Sequence, residues 1–404
     1  MKVNIVHPSL NRHGGAERVL LELIKSLSNA GHETNLYTLD RIRWDQLTHS
    51  FGSCTHPVKE FYTYDNLPGL DSPLNWCLIA IAYLRLLIQA KINGDGISIN
   101  NYGEVFPFIS DFSYIHSIPL FTKPKKNELN PYSVPFWTLL SRGYRIAHLF
   151  LRRRLSEVIL TNSVYNSDII ERSLGIKPII VSPPIHVQIS RLQTVKKEAV
   201  VLSMSRFSKT KMLDNIPRIA HKTKSKCKFV VLGHLNTGSS QVLDTFQKLC
   251  QRLGVLDRVE VITNPCQKKI DEWLRKAQVY LSTQPTEAFG MAIAEAMSFG
   301  CVPIVPRSGG PWLDILKGEQ GTFGFSYTSF NEAAHLIDHI LSDEQLIRDV
   351  QLRAEERVKE FSSESFSKGF VGLIERYYYE RIKIGRMRNL ANASSYCKEL
   401  SNSP

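Results

Sequence analysis

The chain has 404 residues, 43% hydrophobic and 22% charged, an ordinary globular balance at a length that calls for more than one hydrophobic core. Its net charge of +12 suits an anionic partner: nucleic acid, an acidic membrane face or phosphorylated substrates. The seven cysteines (Cys54, Cys77, Cys227, Cys250, Cys266, Cys301 and Cys397) show no paired spacing, which argues against a disulfide scaffold or zinc site and points to reduced thiols in a cytosolic compartment.

The segment Met1 to Pro8 lacks a signal-peptide core and reads as a first strand, Val3 to Val6. A polar loop with Gly14-Gly15 leads into an amphipathic helix from about Ala16 to Asn29. Val19, Leu20, Leu23, Ile24 and Leu27 recur there at helical spacing, and Gly31 marks the stop. Thr34 to Thr38 reads as a second strand, so the chain opens like a parallel doubly wound sheet. Cys77 to Ile88 is the most apolar stretch. Arg85 interrupts it and Lys91 follows, so it predicts a core or interfacial helix rather than a membrane span. Val158 to Ser163 is a short buried strand with a polar end.

Ser182-Pro183-Pro184-Ile185 is a stiff break. A second alternation follows: strand Ala199 to Met204, helix Leu213 to His221, strand Phe229 to Leu232, helix Gln241 to Leu253, strand Val259 to Ile262, helix Lys268 to Ala277, strand Val279 to Ser282. A long helix is expected from about Glu364 to Met387. The reading is of two α/β units, 1–183 and 184–360, with helix 364–387 and a frayed polar tail over 388–404. Ligands in such folds sit at strand C-terminal ends, here in the cleft between domains.

Five segments fall at such ends. The loop Asn11-Arg12-His13-Gly14-Gly15-Ala16-Glu17-Arg18 lets backbone approach a phosphate. Tyr114-Ile115-His116-Ser117-Ile118-Pro119 places a histidine where it can bond a hydroxyl or move a proton. Ser205-Arg206-Phe207-Ser208-Lys209-Thr210-Lys211 offers cations to a diphosphate. The most specific segment is Pro285-Thr286-Glu287-Ala288-Phe289-Gly290-Met291, continuing to Glu295. Two carboxylates flank a Phe-Gly pair that opens a helix, whose free amides favour a phosphate. Acids beside a phosphate repel it unless they accept from hydroxyls, and a nucleotide sugar has both parts. Arg307-Ser308-Gly309-Gly310-Pro311 is a further glycine loop after a strand.

These segments together resemble glycosyltransferase family 4, retaining nucleotide-sugar enzymes of GT-B fold. The resemblance rests on Gly14-Gly15-Ala16-Glu17-Arg18, Arg206 with Lys211, Glu287-Ala288-Phe289-Gly290 with Glu295-Ala296-Met297, and Gly309-Gly310. It implies two Rossmann-like doubly wound domains facing across a cleft, with the 364–387 helix crossing back to the first. Arg206 and Lys211 would bind the donor diphosphate, with the backbone of Phe289, Gly290 and Met291 capping it. Glu295 would hold the ribose and Glu287 the hexose. Gly14 and Gly15 would cover the phosphates, and His116 would lie near the reacting sugar.

Tyr-x-His before proline, and Ser308-Gly309-Gly310-Pro311 followed by Leu313-Asp314-Ile315, resemble the α-1,2-mannosyltransferases that extend dolichol-linked oligosaccharides from GDP-mannose. The expected reaction is hexose transfer to a glycan, lipid-linked by this resemblance. UDP-sugar transfer and a non-catalytic nucleotide-binding partner are the alternatives. Glu287 is the nucleophile if retention uses a covalent intermediate, whereas the family resemblance favours same-face attack. With no Asp-x-Asp pair, no metal or other cofactor is expected. The charge, the Trp76–Ile88 stretch, Val134-Pro135-Phe136-Trp137 and Arg152-Arg153-Arg154 suit peripheral binding at an anionic, cytoplasmic membrane face. No zinc-finger spacing or RNA-binding aromatic signature supports a nucleic-acid partner.

Overall fold

A computed structural model describes residues 1–12, 14–68, 73–93, 96–107, 109–117, 157–187, 197–235 and 238–400, without the side chains of 73, 76 and 384–400. His13, Ile118-Pro119, Val134 to Trp137, Arg152 to Arg154 and the Trp76 side chain lie outside the described residues.

The first domain runs β1 (Lys2–His7), α1 (Gly15–Asn29), β2 (Glu33–Asp40), α2 (Trp44–Phe51), β3 (Lys59–Tyr64), α3 (Pro73–Ile92), β4 (Ile97–Asn100), β5 (Phe112–Ile115), β6 (Val158–Thr161), α4 (Val164–Leu174) and β7 (Ile179–Ile180). Its strands pair in the order β3-β2-β1-β4-β5-β6-β7, all parallel. The second domain runs β8 (Glu198–Arg206), α5 (Asn215–Lys222), β9 (Lys228–His234), α6 (Ser239–Arg252), β10 (Val259–Thr263), α7 (Gln267–Lys276), β11 (Ala277–Leu281), α8 (Met291–Ser298), β12 (Val302–Pro306), β13 (Phe325–Tyr327), α9 (Phe330–Ser342) and α10 (Glu344–Val358). Its order is β10-β9-β8-β11-β12-β13, also parallel. In each sheet the winding reverses beside the first strand, between β1 and β4 and between β8 and β11. Those crevices are where a doubly wound fold receives ligands.

Parallel strands covered on both faces are buried throughout, as β1 after Lys2 and all of β4 are. Polar residues inside them hide the pattern: Ile-Ser-Ile-Asn of β4 is fully buried with Ser98 and Asn100 included, and the sequence reading passes over it. Edge strand β3 is missed for the opposite reason, because most of it is exposed and lacks an apolar face.

The last helix, α11 (Ser363–Leu400), extends past the expected end near Met387, so residues 388–400 are helical rather than a frayed tail. Its alanines favour helix, and no proline follows Met387 until Pro404. Phe366, Phe370, Val371 and Ile374 join the core of the first domain. A buried side chain of this size stabilises by roughly 1.5–3 kcal/mol. Tyr377 stands edge-on to Phe112 at 5.0 Å, and Lys91, Tyr377 and Arg381 converge on buried Asp111. The chain crosses between domains at Pro183-Pro184-Ile185 and again at Phe361-Ser362. The two crossings touch, with Ile185 N–H donating to the Phe361 carbonyl at 2.9 Å.

Candidate active site

On the second-domain wall, β8 ends at Arg206, and the next residue, Phe207, is buried against Gly233, where a β-carbon would lie 2.1 Å from its ring. The Phe207 carbonyl accepts from Ser239 Oγ at 2.7 Å. This anchor raises a single 3-10 turn, Lys209–Lys211, at the strand end, with the Lys211 carbonyl held by Thr283 Oγ1 at 2.9 Å. Arg206 is exposed. Lys211 Nζ meets Glu287 Oε2 at 2.6 Å, both side chains about one quarter exposed.

The segment 285–290 gains its shape from glycines. Gly290 has φ +98°, where a β-carbon would strike Ile293 and Pro311, and it precedes α8 with no side chain to cap the helix. The first amides of α8 are therefore open to an anion. Phe289 is buried edge-on against Phe361 at 5.0 Å, so its side chain is core and its backbone is what faces the cleft. Gly309 and Gly310 lie under this segment. A β-carbon on Gly310 would sit 2.0 Å from the Ala288 oxygen, Gly310 N–H donates to the Glu287 carbonyl at 2.8 Å, and Ser308 Oγ donates to the Pro285 carbonyl at 2.8 Å. The second glycine loop supports the acid-bearing loop by direct backbone packing.

On the first-domain wall, the loop after β1 leads into α1 through Gly14. Its N–H donates to Glu17 Oε2 at 2.8 Å, so Glu17 already holds the Gly14 amide. The sequence reading had left Glu17 without a role. Burial alone would raise the Glu17 pKa, but His7, with Nε2 3.7 Å away, and the local amides outweigh it and hold the carboxylate below its usual range. Gly15 faces the other domain, and a β-carbon there would lie 3.2 Å from Met291 Sδ at the start of α8.

His116 follows β5. Its Nε2 lies 2.9 Å from the Asn101 carbonyl, which can only accept, so Nε2 carries the proton and Nδ1 is left as an acceptor. Burial, with His7 nearby, pushes its pKa down to about 3, so the ring is neutral at pH 7. The same Asn101 carbonyl lies 3.3 Å from His7 Nδ1. Gly14, Glu17, His7, Asn101 and His116 thus form one polar chain across the ends of β1, β4 and β5. Beneath it, Glu104 Oε1 accepts from the N–H groups of His116 and Ser117, both at 2.7 Å. Burial raises the Glu104 pKa to about 7, and its Oε2 has no partner among the described residues.

Besides Gly15 and Met291, two polar contacts join the walls among the described residues. Arg18 of α1 reaches Glu295 of α8, Nη2 to Oε1 at 2.5 Å. Asp314 of the second domain accepts from Val164 N–H at 2.6 Å and from Tyr165 N–H at 3.4 Å, satisfying open amides at the start of α4. Burial raises the Asp314 pKa to about 6. The Arg18 side chain is about one-third exposed and that of Glu295 less, and the Glu295 carboxylate raises the Arg18 pKa further.

Arg206, Lys211, Glu287, Phe289, Gly290, Met291 and Glu295 are thus gathered on one wall, with Gly15 and Arg18 against it. His116 stands on the opposite wall, joined to Gly14 through the polar chain. Arg18 and Asp314 carry no assigned role in the sequence reading although both lie in its motifs, since an ion pair or helix cap between domains leaves no local spacing.

Residues 186–359 match the family Glycosyl transferases group 1. The match spans the second domain from the Pro183-Pro184 crossing to the end of α10. The chain resembles a Neurospora crassa GDP-Man:Man(3)GlcNAc(2)-PP-Dol alpha-1,2-mannosyltransferase, 27% identical over 273 residues, which are 60% of this chain and 48% of the relative. A human protein of the same description is 30% identical over 155 residues, 37% of this chain and 31% of the relative. The chain spans about half, or less, of the length of the curated mannosyltransferases it matches. Among solved structures, Anabaena HepE in complex with UDP superposes with a TM-score of 0.69 at 16% identity, covering 93% of this chain and all of that one. A sucrose-phosphate synthase from Thermosynechococcus elongatus gives 0.70 at 14% identity, covering 94% of this chain and all of that one. These superpositions identify the fold as GT-B, two Rossmann-like domains facing across a cleft.

Proposed function

We propose that the chain is a retaining hexosyltransferase moving mannose from GDP-mannose to a lipid-linked glycan. The observation that carries the reading is the second-domain wall. That wall holds an uncapped helix start at Gly290, Arg206 at the end of β8, Lys211 paired with Glu287, and a second acid on α8 at Glu295. Cations and amides suit a diphosphate, and carboxylates suit hydroxyls. Mannose and a dolichol-type acceptor are supported by the descriptions of the matched relatives and by the Ser308–Ile315 segment.

In this reading the departing diphosphate is stabilised by Arg206, Lys211 and the α8 amides, without a metal. Such preorganised donors are each worth roughly 2.7–4 kcal/mol in a transition state. Among the described residues no group of three His, Cys, Asp or Glu side chains is arranged to hold a metal ion. The Lys211 ammonium against Glu287 makes that carboxylate a weak nucleophile, which supports same-face attack with Glu287 holding hexose hydroxyls. Neutral His116 presents Nδ1 to a sugar hydroxyl.

A membrane-facing acceptor is supported by α3. Leu74, Leu78, Ile81, Ile88 and Ile92 are all exposed, and Arg85 lies on the same stripe. An exposed aliphatic stripe with a cation fits the interface of an anionic bilayer. Among the described residues no helix is long and apolar enough to cross one. Anionic liposomes should float the protein, and recovery entirely in the soluble fraction would remove the membrane from the proposal.

The deciding experiment is calorimetric titration with GDP, UDP and ADP, followed by transfer from GDP-mannose. GDP preference with mannose transfer is expected. UDP preference would keep the fold and overturn the mannose assignment, and absence of all three affinities would leave a non-catalytic partner as the reading.

A further inference from the structure

The closest charged partner of the Arg18 side chain is Glu295, on the other domain. Met291 and Glu295 are four residues apart and so share one face of α8. Glu295, the partner of the guanidinium, therefore sits about one helical turn along α8 from the uncapped helix start. Gly15 and Met291 bring the starts of α1 and α8 into contact at the same place. The pair is close but poorly directed: Glu295 Oε1 is buried yet gains no well-aligned hydrogen bond. A buried carboxylate oxygen without an aligned donor is placed to accept one from a hydroxyl.

We propose that Arg18 is a donor-binding residue supplied by the first domain, with Glu295 as its stand-in ligand while the cleft is empty. Ribose hydroxyls take Glu295, and the released guanidinium turns to the diphosphate at the start of α8. Arginine suits the exchange because its planar fork bonds carboxylate and phosphate oxygens alike. About one-third of the Arg18 side chain is open to solvent, where a ligand can enter the exchange. Donor binding then replaces a protein–protein contact across the cleft with two protein–donor contacts, one from each domain. This inference rests on the nucleotide-sugar reading above.

The test is calorimetry on wild type, R18Q and R18K with GDP and with guanosine, which lacks the diphosphate. R18Q should weaken GDP binding by about tenfold to a hundredfold, the usual loss for a hydrogen bond to a charged group. Its guanosine affinity should stay the same or improve, because Glu295 is set free. R18K should fall between, and GDP binding by R18Q should depend less on salt than that of wild type. Thermal melting controls for folding. If R18Q binds both ligands more tightly, Arg18 only blocks Glu295 and the proposal fails. It fails equally if R18Q binds GDP as wild type does. Wild-type protein that binds none of GDP, UDP or ADP would sink the nucleotide reading itself, and Arg18 with it.

Discussion

The two walls of the cleft satisfy their polar groups in opposite ways. The second-domain wall is made of backbone shape and loosely held charge. Gly290, Gly309 and Gly310 fix the 285–290 loop, while the Lys211–Glu287 and Arg18–Glu295 pairs are partly exposed and open to exchange with a ligand. The first-domain wall is a buried polar network in which His7, Glu17, Asn101, Glu104 and His116 hold one another and the Gly14 amide. One wall can trade partners with a charged ligand, and the other presents preset groups, the neutral His116 among them. Such a division suits a reaction in which a charged leaving group and a neutral sugar occupy opposite sides of one site.

The strongest way to break the comparison is Gly310→Ala. Its β-carbon would meet the Ala288 oxygen at 2.0 Å, and no side-chain rotation relieves a backbone clash. We expect a loss of about 3 kcal/mol in stability together with loss of donor affinity, read by melting and calorimetry. Glu287→Ala comes next. If Glu287 holds the hexose as proposed, transfer should fall about 100- to 1000-fold while nucleoside diphosphate affinity stays within about threefold. Equal activity of that variant would remove Glu287 from the mechanism.

On the other wall, pH separates two buried groups that touch. The folded pKa of His116 is lowered from 6.5 to about 3, so between those values the unfolded chain binds more protons and stability rises with pH. That of Glu104 is raised from 4.5 to about 7, so between those values the folded chain binds more protons and stability falls with pH. The two oppose each other from pH 4.5 to 6.5, each by up to about 1.4 kcal/mol per pH unit. Urea unfolding at pH 5 and 6.5 should show E104Q gaining stability with pH more steeply than wild type, and H116N less steeply. Parallel slopes for all three proteins would mean that neither group is held as described. The smallest effect is expected from chelation: under the proposal that Arg206, Lys211 and the α8 amides take the leaving charge, EDTA should leave transfer within about twofold.

Most of the donor wall was legible in the sequence because its chemistry is local. Glycines, cations and acids fall at fixed offsets around strand ends, so the sequence alone places Arg206, Lys211, Glu287 and Glu295 at strand ends and helix starts, where the structure also has them. What escaped notice depends on contacts between distant segments. Asp314 caps a helix 150 residues earlier, and Glu104 holds the backbone of His116 and Ser117. Within the fold, buried serine and asparagine hide β4, and the polar residues after Met387 read as a frayed end although they are helical.

The return of α11 to the first domain also sets an order of assembly. Everything needed for the second sheet leaves the ribosome before residue 363, whereas the first domain's core lacks Phe366, Phe370 and Ile374 until the final helix emerges. The segment made first is therefore completed last, its apolar faces waiting while an inserted neighbour folds. Chain synthesis halted between the two events should yield a structured second domain tethered to an unfinished, chaperone-dependent first one.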